Sequence, residues 1–230
     1  MISLEARYRE VLERIEVASR ASGRASADVE LIVITKTHPA SVVTELMDLG
    51  HHVFGENKDQ EAKPKALAVA DLRPQARTDW HFVGQLQSNK AKSVLSYAST
   101  VHSLDRASLL KEFAKQLAGM DLELACFIEL NLTDDPNRGG IAVESFSEFA
   151  EKAVQVGGLN VLGVMAVAGL DVDPRVDFER AINLSSKLQE ILPSATAVSM
   201  GMSADYEMAI EMGATHVRVG SAITGPRGNN

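Results

Sequence analysis

The chain has 230 residues, of which 45% are hydrophobic, and a formal net charge of -8. That hydrophobic content is enough for one sizeable core, and the length suits one large α/β domain. The acidic balance argues against general affinity for nucleic acid or an anionic membrane, and the longest apolar run, 161–170, is too short to span a bilayer. A single cysteine excludes an internal disulfide. The charged N-terminal segment is unlike a signal peptide, so we expect a soluble, cytoplasmic protein.

The predicted elements alternate between strand and helix after one opening helix. Apolar residues such as Val11 and Ile15 recur at helical spacing and predict that helix over residues 2–20. The predicted strands are short apolar runs at 31–35, 52–54, 80–83, 100–103, 122–131, 159–165, 196–200 and 216–220. The predicted helices lie between them at 41–50, 59–70, 88–97, 105–119, 145–156, 177–191 and 204–213.

Eight strands in strict alternation with helices predict an α/β fold of the (β/α)8 TIM barrel type, as a single domain over residues 1–230. No helix is predicted after the last strand, so we expect the extra N-terminal helix to complete the outer ring. An open doubly wound sheet is the rival architecture. No GxGxxG pattern follows the first strand, so a dinucleotide site has no support.

Polar residues and glycines follow the predicted strands, where barrel enzymes form their sites. Lys36 comes directly after the first strand, in the stretch ELIVITKTHP. The stretches FGEN (54–57) and GQLQSNK (84–90) follow the next two strands, and NLTDDPNRGG (131–140) follows the fifth. Position alone leaves Lys36 open as either an exposed, ion-paired lysine or a chemically active one.

The last two loops, SMGMSAD (199–205) and VGSAITG (219–225), are the most informative. Loops after strands 7 and 8 often bind phosphate in barrels, since glycines admit backbone N–H groups and serines add donors. A lysine amine in the same barrel mouth can form a Schiff base with an aldehyde. A phosphorylated aldehyde such as pyridoxal 5'-phosphate (PLP) would satisfy both ends of this site.

Several longer stretches carry a resemblance that covers nearly the whole chain. They are ITKTHPA (34–40), FGENKDQE (54–61), WHFVGQLQSNKAK (80–92), VHSLDR (101–106), GVMAVAG (163–169) and SMGMSADYEMAIEMGATHVRVGSAITG (199–225). In these the chain resembles the YggS/PROSC family of PLP homeostasis proteins, whose fold is similar to the barrel domain of alanine racemase.

The resemblance implies a role for each matching residue. Lys36 would hold PLP as a Schiff base, and Asn57 would lie near the cofactor ring. Arg218 would face the pyridine nitrogen. The phosphate would be bound by three residues, namely Ser199, Gly220 and Ser221.

The sequence departs from the family pattern at three residues near the site. His38 and Arg138 stand where lysines are usual, and Lys58 stands where a tyrosine is common. The chain also ends in GPRGNN, without the Asp-Tyr often found there. If the missing lysines assist PLP transfer, exchange of PLP in this protein is slower or follows another route.

The resemblance implies a PLP carrier or buffer in vitamin B6 homeostasis, with no catalytic residue assigned. PLP-dependent apo-enzymes are candidate partners, and we expect a monomer. The alternative is a small PLP-dependent amino-acid racemase, which needs an acid/base group on each face of its substrate. Tyr8, Tyr97 and Tyr206 fall on predicted helices, and no residues remain after the barrel for a second domain.

A Schiff-base aldolase without PLP is a third reading. The six histidines form no recognised metal motif.

Overall fold

In the computed structural model, which describes residues 2–133, 135, 138–169 and 173–226, parallel strands close into a barrel. The strands are β1 Glu30–Ile34, β2 Val53–Glu56, β3 Asp79–Phe82, β4 Thr100–Leu104, β5 Leu124–Asn131, β6 Ile141–Ala142, β7 Leu159–Met165, β8 Ala197–Met202 and β9 His216–Val219. The order is β4-β3-β2-β1-β9-β8-β7-β5, and pairing of β4 with β5 closes the ring. The two-residue β6 pairs only with β5, outside the barrel. The predicted (β/α)8 barrel is therefore confirmed.

The helices surround the barrel in chain order. They are α1 Leu4–Ala21, α2 Ala40–Asp48, α3 Asp59–Leu72, α4 Ala91–Val94, α5 Ala107–Leu117, α6 Phe146–Ala153, α7 Pro174–Ile191, α8 Tyr206–Glu211 and α9 Ser221–Thr224. None of the described helices is both long and apolar enough to cross a membrane. The polar stretch expected at 131–140 lies partly outside the described residues, and so does the chain end after Pro226.

The extra N-terminal helix occupies the expected place in the outer ring. Helix α1 packs against α8 and α9, and Arg7 Nε donates a hydrogen bond to the carbonyl of Ile223 at 2.6 Å. Arg14 pairs with Glu207 and lies 5.7 Å from the centre of the Tyr206 ring. One expectation is wrong, because the last strand is followed by the single helical turn α9.

The apolar core has two layers. The outer layer lies between strands and helices and includes Val33, Phe54 and Phe113. The inner layer lies inside the barrel, where the Phe127 ring of β5 contacts His216 of β9. Strands β7 and β8 separate these two strands in the sheet, so the contact crosses the interior. Parallel strands also place all their C-terminal ends at one mouth of the barrel, where the predicted site residues should meet.

Candidate functional site

Lys36 lies on a strained turn at the end of β1. The turn is closed by a hydrogen bond from His38 N to the carbonyl of Thr35 at 3.1 Å, and Lys36 is half-buried. Thr37 has a φ of 65°, which is rare for a β-branched residue. Such strained backbone persists only where its surroundings hold it, and it is typical of functional sites.

A buried ion pair between Lys65 and Glu56 anchors this turn to α3. Lys65 Nζ on α3 donates to the carbonyl of Thr35 at 2.8 Å and to Glu56 Oε1 at 2.5 Å. Thr35 Oγ1 donates to the same carboxylate at 2.8 Å, and Thr37 N donates to Glu61 Oε2 at 3.1 Å. Burial raises the pKa of Glu56, and the charge of Lys65 opposes that rise. Sequence reasoning missed Lys65, because its partners are brought together only by folding.

Asn57 follows β2 and is held by close packing against the loop after β3. A Cβ on Gly84 would lie 2.1 Å from the carbonyl oxygen of Asn57, so only glycine fits there. Asn57 lines an open cleft of about 780 Å³ at the ends of β2, β3 and β4, together with Lys58, Lys90 and Arg106. Asn57 therefore lines a polar cleft that adjoins the barrel mouth.

The loops after β8 and β9 meet beside the end of β1. Ser203 Oγ accepts hydrogen bonds from Gly220 N at 3.1 Å and from Ala222 N at 3.4 Å. A Cβ on Gly220 would lie 3.3 Å from Ile34 Cβ, so Gly220 is in contact with β1 two residues before Lys36. Ser221 follows Gly220 and is exposed. This geometry brings backbone N–H groups and serine hydroxyls close to the Lys36 turn.

Arg218 lies beneath these loops, inside the barrel, and is only 5% exposed. Its Nη1 donates to Ser199 Oγ at 2.6 Å, and its Nη2 donates to the carbonyl of Ala166 at 2.9 Å. Burial lowers the pKa of Arg218 to about 10, while Glu129 and Asp205 oppose that shift. The guanidinium therefore stays charged at neutral pH, with donors bonded to Ser199 and Ala166.

The structure places Ser199 with Arg218 inside the barrel, apart from the loop that carries Gly220 and Ser221. Ser199 is 0% exposed, lies in the middle of β8 and bonds to Arg218. Ser203 is the serine that reaches the Gly220 loop, and the sequence analysis did not single it out. The available signal was its position in SMGMS, three residues past the predicted end of the strand.

Glu129 is a second residue that sequence reasoning missed. It lies on β5, two residues beyond the interior ring of Phe127 and so on the same face of the strand. Burial raises the pKa of Glu129 to about 7; Asp105 adds to the rise, while Arg218, Arg138 and Arg106 oppose it. The barrel mouth thus contains an acid that titrates near neutral pH.

A cluster of carboxylates and imidazoles lies near the opposite ends of the strands. Ligand-type atoms of Glu30, Asp79 and His81 lie within 4.8 Å of one another, an arrangement that the sequence analysis did not anticipate. Glu30 Oε2 lies 3.0 Å from His216 Nε2, and Asp79 Oδ1 lies 3.6 Å from His81 Nε2. Glu30 and Asp79 have lowered pKa values, chiefly through hydrogen bonds with these histidines.

Comparison with known sequences agrees with this architecture. Residues 12–228 match the family model described as alanine racemase, N-terminal domain. A pyridoxal phosphate homeostasis protein of Aquifex aeolicus (strain VF5) is 36% identical over 225 residues, with 96% of this chain and 97% of the relative covered. The protein of the same name from Vibrio cholerae is 32% identical, with coverage of 99% and 98%.

Solved structures show the same relationship. PipY of Synechococcus elongatus PCC7942, solved with PLP bound, superposes with a TM-score of 0.79 at 28% identity, covering 94% of this chain and all of PipY. An unknown protein from Bifidobacterium adolescentis gives a TM-score of 0.87 at 27% identity, with 96% and 94% covered. An alanine racemase from Corynebacterium glutamicum, at 14% identity and a TM-score of 0.65, is similar in fold; 96% of this chain matches 62% of that one.

Proposed function

The chain belongs to the alanine racemase N-terminal domain family, among relatives called pyridoxal phosphate homeostasis proteins, and on that basis we propose that it binds PLP through Lys36. The observation that carries the proposal is the position of Lys36. It is half-buried in the turn that follows β1, two residues after Ile34, which contacts Gly220 at the end of the strand that carries the buried Arg218. The chain would act in vitamin B6 homeostasis as a carrier or buffer of PLP.

The residues at the barrel mouth suit three groups of PLP, namely its aldehyde, its pyridine nitrogen and its phosphate. Lys36 would bond to the aldehyde carbon, and Arg218 would donate to the pyridine nitrogen. The Gly220–Ser221 loop would receive the phosphate, because its backbone N–H groups already converge on the Ser203 hydroxyl. We propose Ser203, rather than Ser199, as the serine of the phosphate site, since the Ser199 hydroxyl is committed to Arg218 inside the barrel. Asn57 would lie beside the ring.

Arg218 also bears on what the bound cofactor can do. When bound, PLP supplies an electron sink, and that sink is strongest when its pyridine nitrogen is protonated. A guanidinium only donates hydrogen bonds, so it favours an unprotonated nitrogen. This residue therefore supports a holding role over efficient turnover.

A racemase remains the second candidate, and Glu129 is the observation that favours it. A racemase needs an acid or base on each face of its substrate. Two of the tyrosines cannot meet this need: Tyr8 packs on His51, and the Tyr206 ring packs under Arg14. Tyr97 lies in the turn after α4 rather than on a helix, and its hydroxyl is buried. Glu129 lies near the C-terminal end of β5, and burial raises its pKa to about 7. A chiral assay over several amino acids tests this candidate, and no turnover above that of free PLP would remove it.

We infer a single domain over residues 1–230 that is monomeric and cytoplasmic. PLP-dependent apo-enzymes are proposed as recipients of the cofactor. Neither nucleic acid nor membrane is proposed as a partner, given the net charge of -8. Size-exclusion chromatography with light scattering tests the monomer.

The decisive experiment is a visible absorption spectrum of the purified protein with PLP, before and after borohydride reduction. We expect an absorption band that reduction removes and a phosphopyridoxyl group on Lys36, mapped by mass spectrometry. Lys36→Ala should lose the band, whereas Lys58→Ala, a change to an exposed lysine lining the adjoining cleft, should retain it. A retained band in Lys36→Ala would refute the assignment of Lys36.

A further inference from the structure

A continuous chain of hydrogen bonds runs through the interior of the barrel below Arg218. Arg218 Nη1 donates to Ser199 Oγ at 2.6 Å, and Ser199 Oγ lies 2.9 Å from His102 Nδ1. The other ring nitrogen of this histidine, Nε2, lies 2.9 Å from His81 Nδ1. The last hydrogen bond of the chain ends at His81, whose Nε2 lies 3.6 Å from Asp79 Oδ1. The chain therefore reaches from Arg218 to a histidine beside the carboxylates near the opposite ends of the strands.

The chain crosses the barrel rather than following the sheet. His102 is on β4 and Ser199 is on β8, which are not neighbours in the strand order. His102 and Ser199 are 0% exposed, and the His102 ring stacks on Phe127 with 4.4 Å between centroids. Barrel interiors are commonly filled by branched apolar side chains. Polar groups buried this deeply are costly unless each has a partner, and the hydrogen bonds of this chain supply partners for Ser199 and His102.

The hydrogen bonds of this chain can point in one direction only, with each donor on the Arg218 side and each acceptor on the His81 side. Arg218 has donors and no acceptor, so Ser199 Oγ must accept from it. The serine proton is then free to donate to His102 Nδ1. His102 must therefore carry its own proton on Nε2 and donate to His81 Nδ1. The reverse arrangement would leave the buried serine proton without an acceptor, since Arg218 and His102 are the two partners of that hydroxyl in the described residues.

The surroundings of His102 keep it neutral, as this chain requires. Burial lowers the pKa of His102 well below its ordinary value, and the neighbouring His81, Arg218 and His216 act in the same direction. The charged groups near the far end of the chain are Glu30 and Asp79, which lie beside His216 and His81 respectively.

We propose that Ser199, His102 and His81 are positioning residues for Arg218, forming a one-directional hydrogen-bond chain in which His102 is the Nε2–H tautomer. The chain holds the guanidinium of Arg218 at the pyridine end of the PLP site. The placement of Arg218 at the pyridine end of PLP rests on the proposed function, whereas the direction of the hydrogen-bond chain does not. The proposal also gives Ser199 a role in the site other than binding phosphate.

The direction of the chain is tested on the cofactor-free protein by long-range ¹H–¹⁵N NMR of assigned histidine rings. We expect His102 to show a proton on Nε2 and none on Nδ1 at neutral pH. In Ser199→Ala the donor to Nδ1 is absent, so the His102 ring shifts should move. A His102 ring protonated on Nδ1, or on both nitrogens, in the wild-type protein would overturn the proposal. His52→Gln, a change to an exposed histidine, is the control and should leave those shifts unchanged.

The positioning role is tested on the protein loaded with PLP. Ser199→Ala should shift the visible band of bound PLP and weaken PLP binding about tenfold, the equivalent of one lost hydrogen bond to a charged group. Ser199→Thr retains the hydroxyl and should restore both values. Ser103→Ala is the matched control, because Ser103 is equally buried on β4 and its hydroxyl has no partner among the described residues.

The outcomes separate this inference from the proposed function. An unchanged band and unchanged affinity in Ser199→Ala would overturn the positioning role, even if PLP is bound. If the wild-type protein binds no PLP, the proposed function and the positioning role both fail, and the NMR experiment still decides the hydrogen-bond chain. If Ser199→Thr does not fold, the wild-type tautomer and the comparison with Ser103→Ala remain decisive.

Discussion

Among single residues, Lys65 and Glu56 form the pair on which the Lys36 turn depends. Lys65 is nearly fully buried, and its amine satisfies both the Glu56 carboxylate and the carbonyl of Thr35. Removing one member of such a pair leaves an uncompensated charge in the interior, which costs more than the pair itself contributes. The turn would also lose its attachment to α3.

Lys65→Met is therefore expected to lower the free energy of unfolding by about 3–5 kcal/mol. Urea unfolding measures this, with Lys187→Met, at an exposed position on α7, as the control. The double variant Lys65→Met with Glu56→Gln should recover part of the loss, because the lone carboxylate is gone. A loss no larger than that of Lys187→Met would show that the pair does not hold the turn.

Glu129 makes a prediction about pH. Burial raises the pKa of Glu129 from 4.5 to about 7, so the folded protein binds this proton more tightly than the unfolded chain. The free energy of unfolding therefore falls as pH rises from about 4.5 to about 7, and the full decrease is present above that range. In the PLP-free protein, Glu129→Gln should raise the free energy of unfolding at pH 8 by about 3 kcal/mol and should change it little at pH 4.5. Equal effects at both pH values would contradict this assignment.

At the scale of elements, helix α1 attaches to the barrel partly through a histidine. Tyr8 on α1 contacts His51, which precedes β2, with ring centroids 5.5 Å apart. His51 Nε2 lies 2.7 Å from the carbonyl of Val53, and its other ring nitrogen lies 3.3 Å from the Tyr8 hydroxyl. Both ring nitrogens are thus engaged in a buried contact that suits the neutral imidazole. Burial lowers the pKa of His51 to about 4.

Acid should weaken this attachment. Because the folded pKa of His51 lies below its ordinary value of 6.5, the unfolded chain binds more protons as pH falls from about 6.5 to about 4. The titration of His51 therefore lowers the free energy of unfolding by about 3 kcal/mol between pH 7 and pH 4. In His51→Gln the decrease in the free energy of unfolding between pH 7 and pH 4 should be about 3 kcal/mol smaller than in wild type. The exposed-site control His52→Gln should behave as wild type. Urea titrations at both pH values provide the measurement.

For the whole molecule, PLP binding and folding are linked. A ligand that binds only the native state stabilises it by about 2.7 kcal/mol at a free concentration one hundred times its Kd. Wild-type protein should show this gain in urea unfolding when PLP is added. Lys36→Ala should gain much less at the same PLP concentration, because the covalent attachment is lost. Equal gains would indicate that PLP binds elsewhere on the surface.

The sequence alone predicted the architecture and the end of the barrel at which the candidate site residues gather. Strict alternation of apolar strands with amphipathic helices allows few arrangements, and parallel strands bring their C-terminal ends together. Lys36, Asn57, Gly220 and Ser221 therefore lie at one mouth, as that pattern predicts. The single turn α9 was missed because four residues carry no helical periodicity.

Only the tertiary structure decided which side chains meet across the barrel. The family resemblance assigned Ser199 to the phosphate site, and its strand was predicted to end at residue 200, whereas β8 runs to Met202. Ser199 bonds to Arg218 inside the barrel, and the two extra strand residues make Ser203 the first loop residue. His102 bonds to Ser199 across 97 positions of sequence. Periodicity reports the face of a strand on which a residue lies, but a partner across the interior depends on closure of the ring and on strand register, which are set by long-range packing.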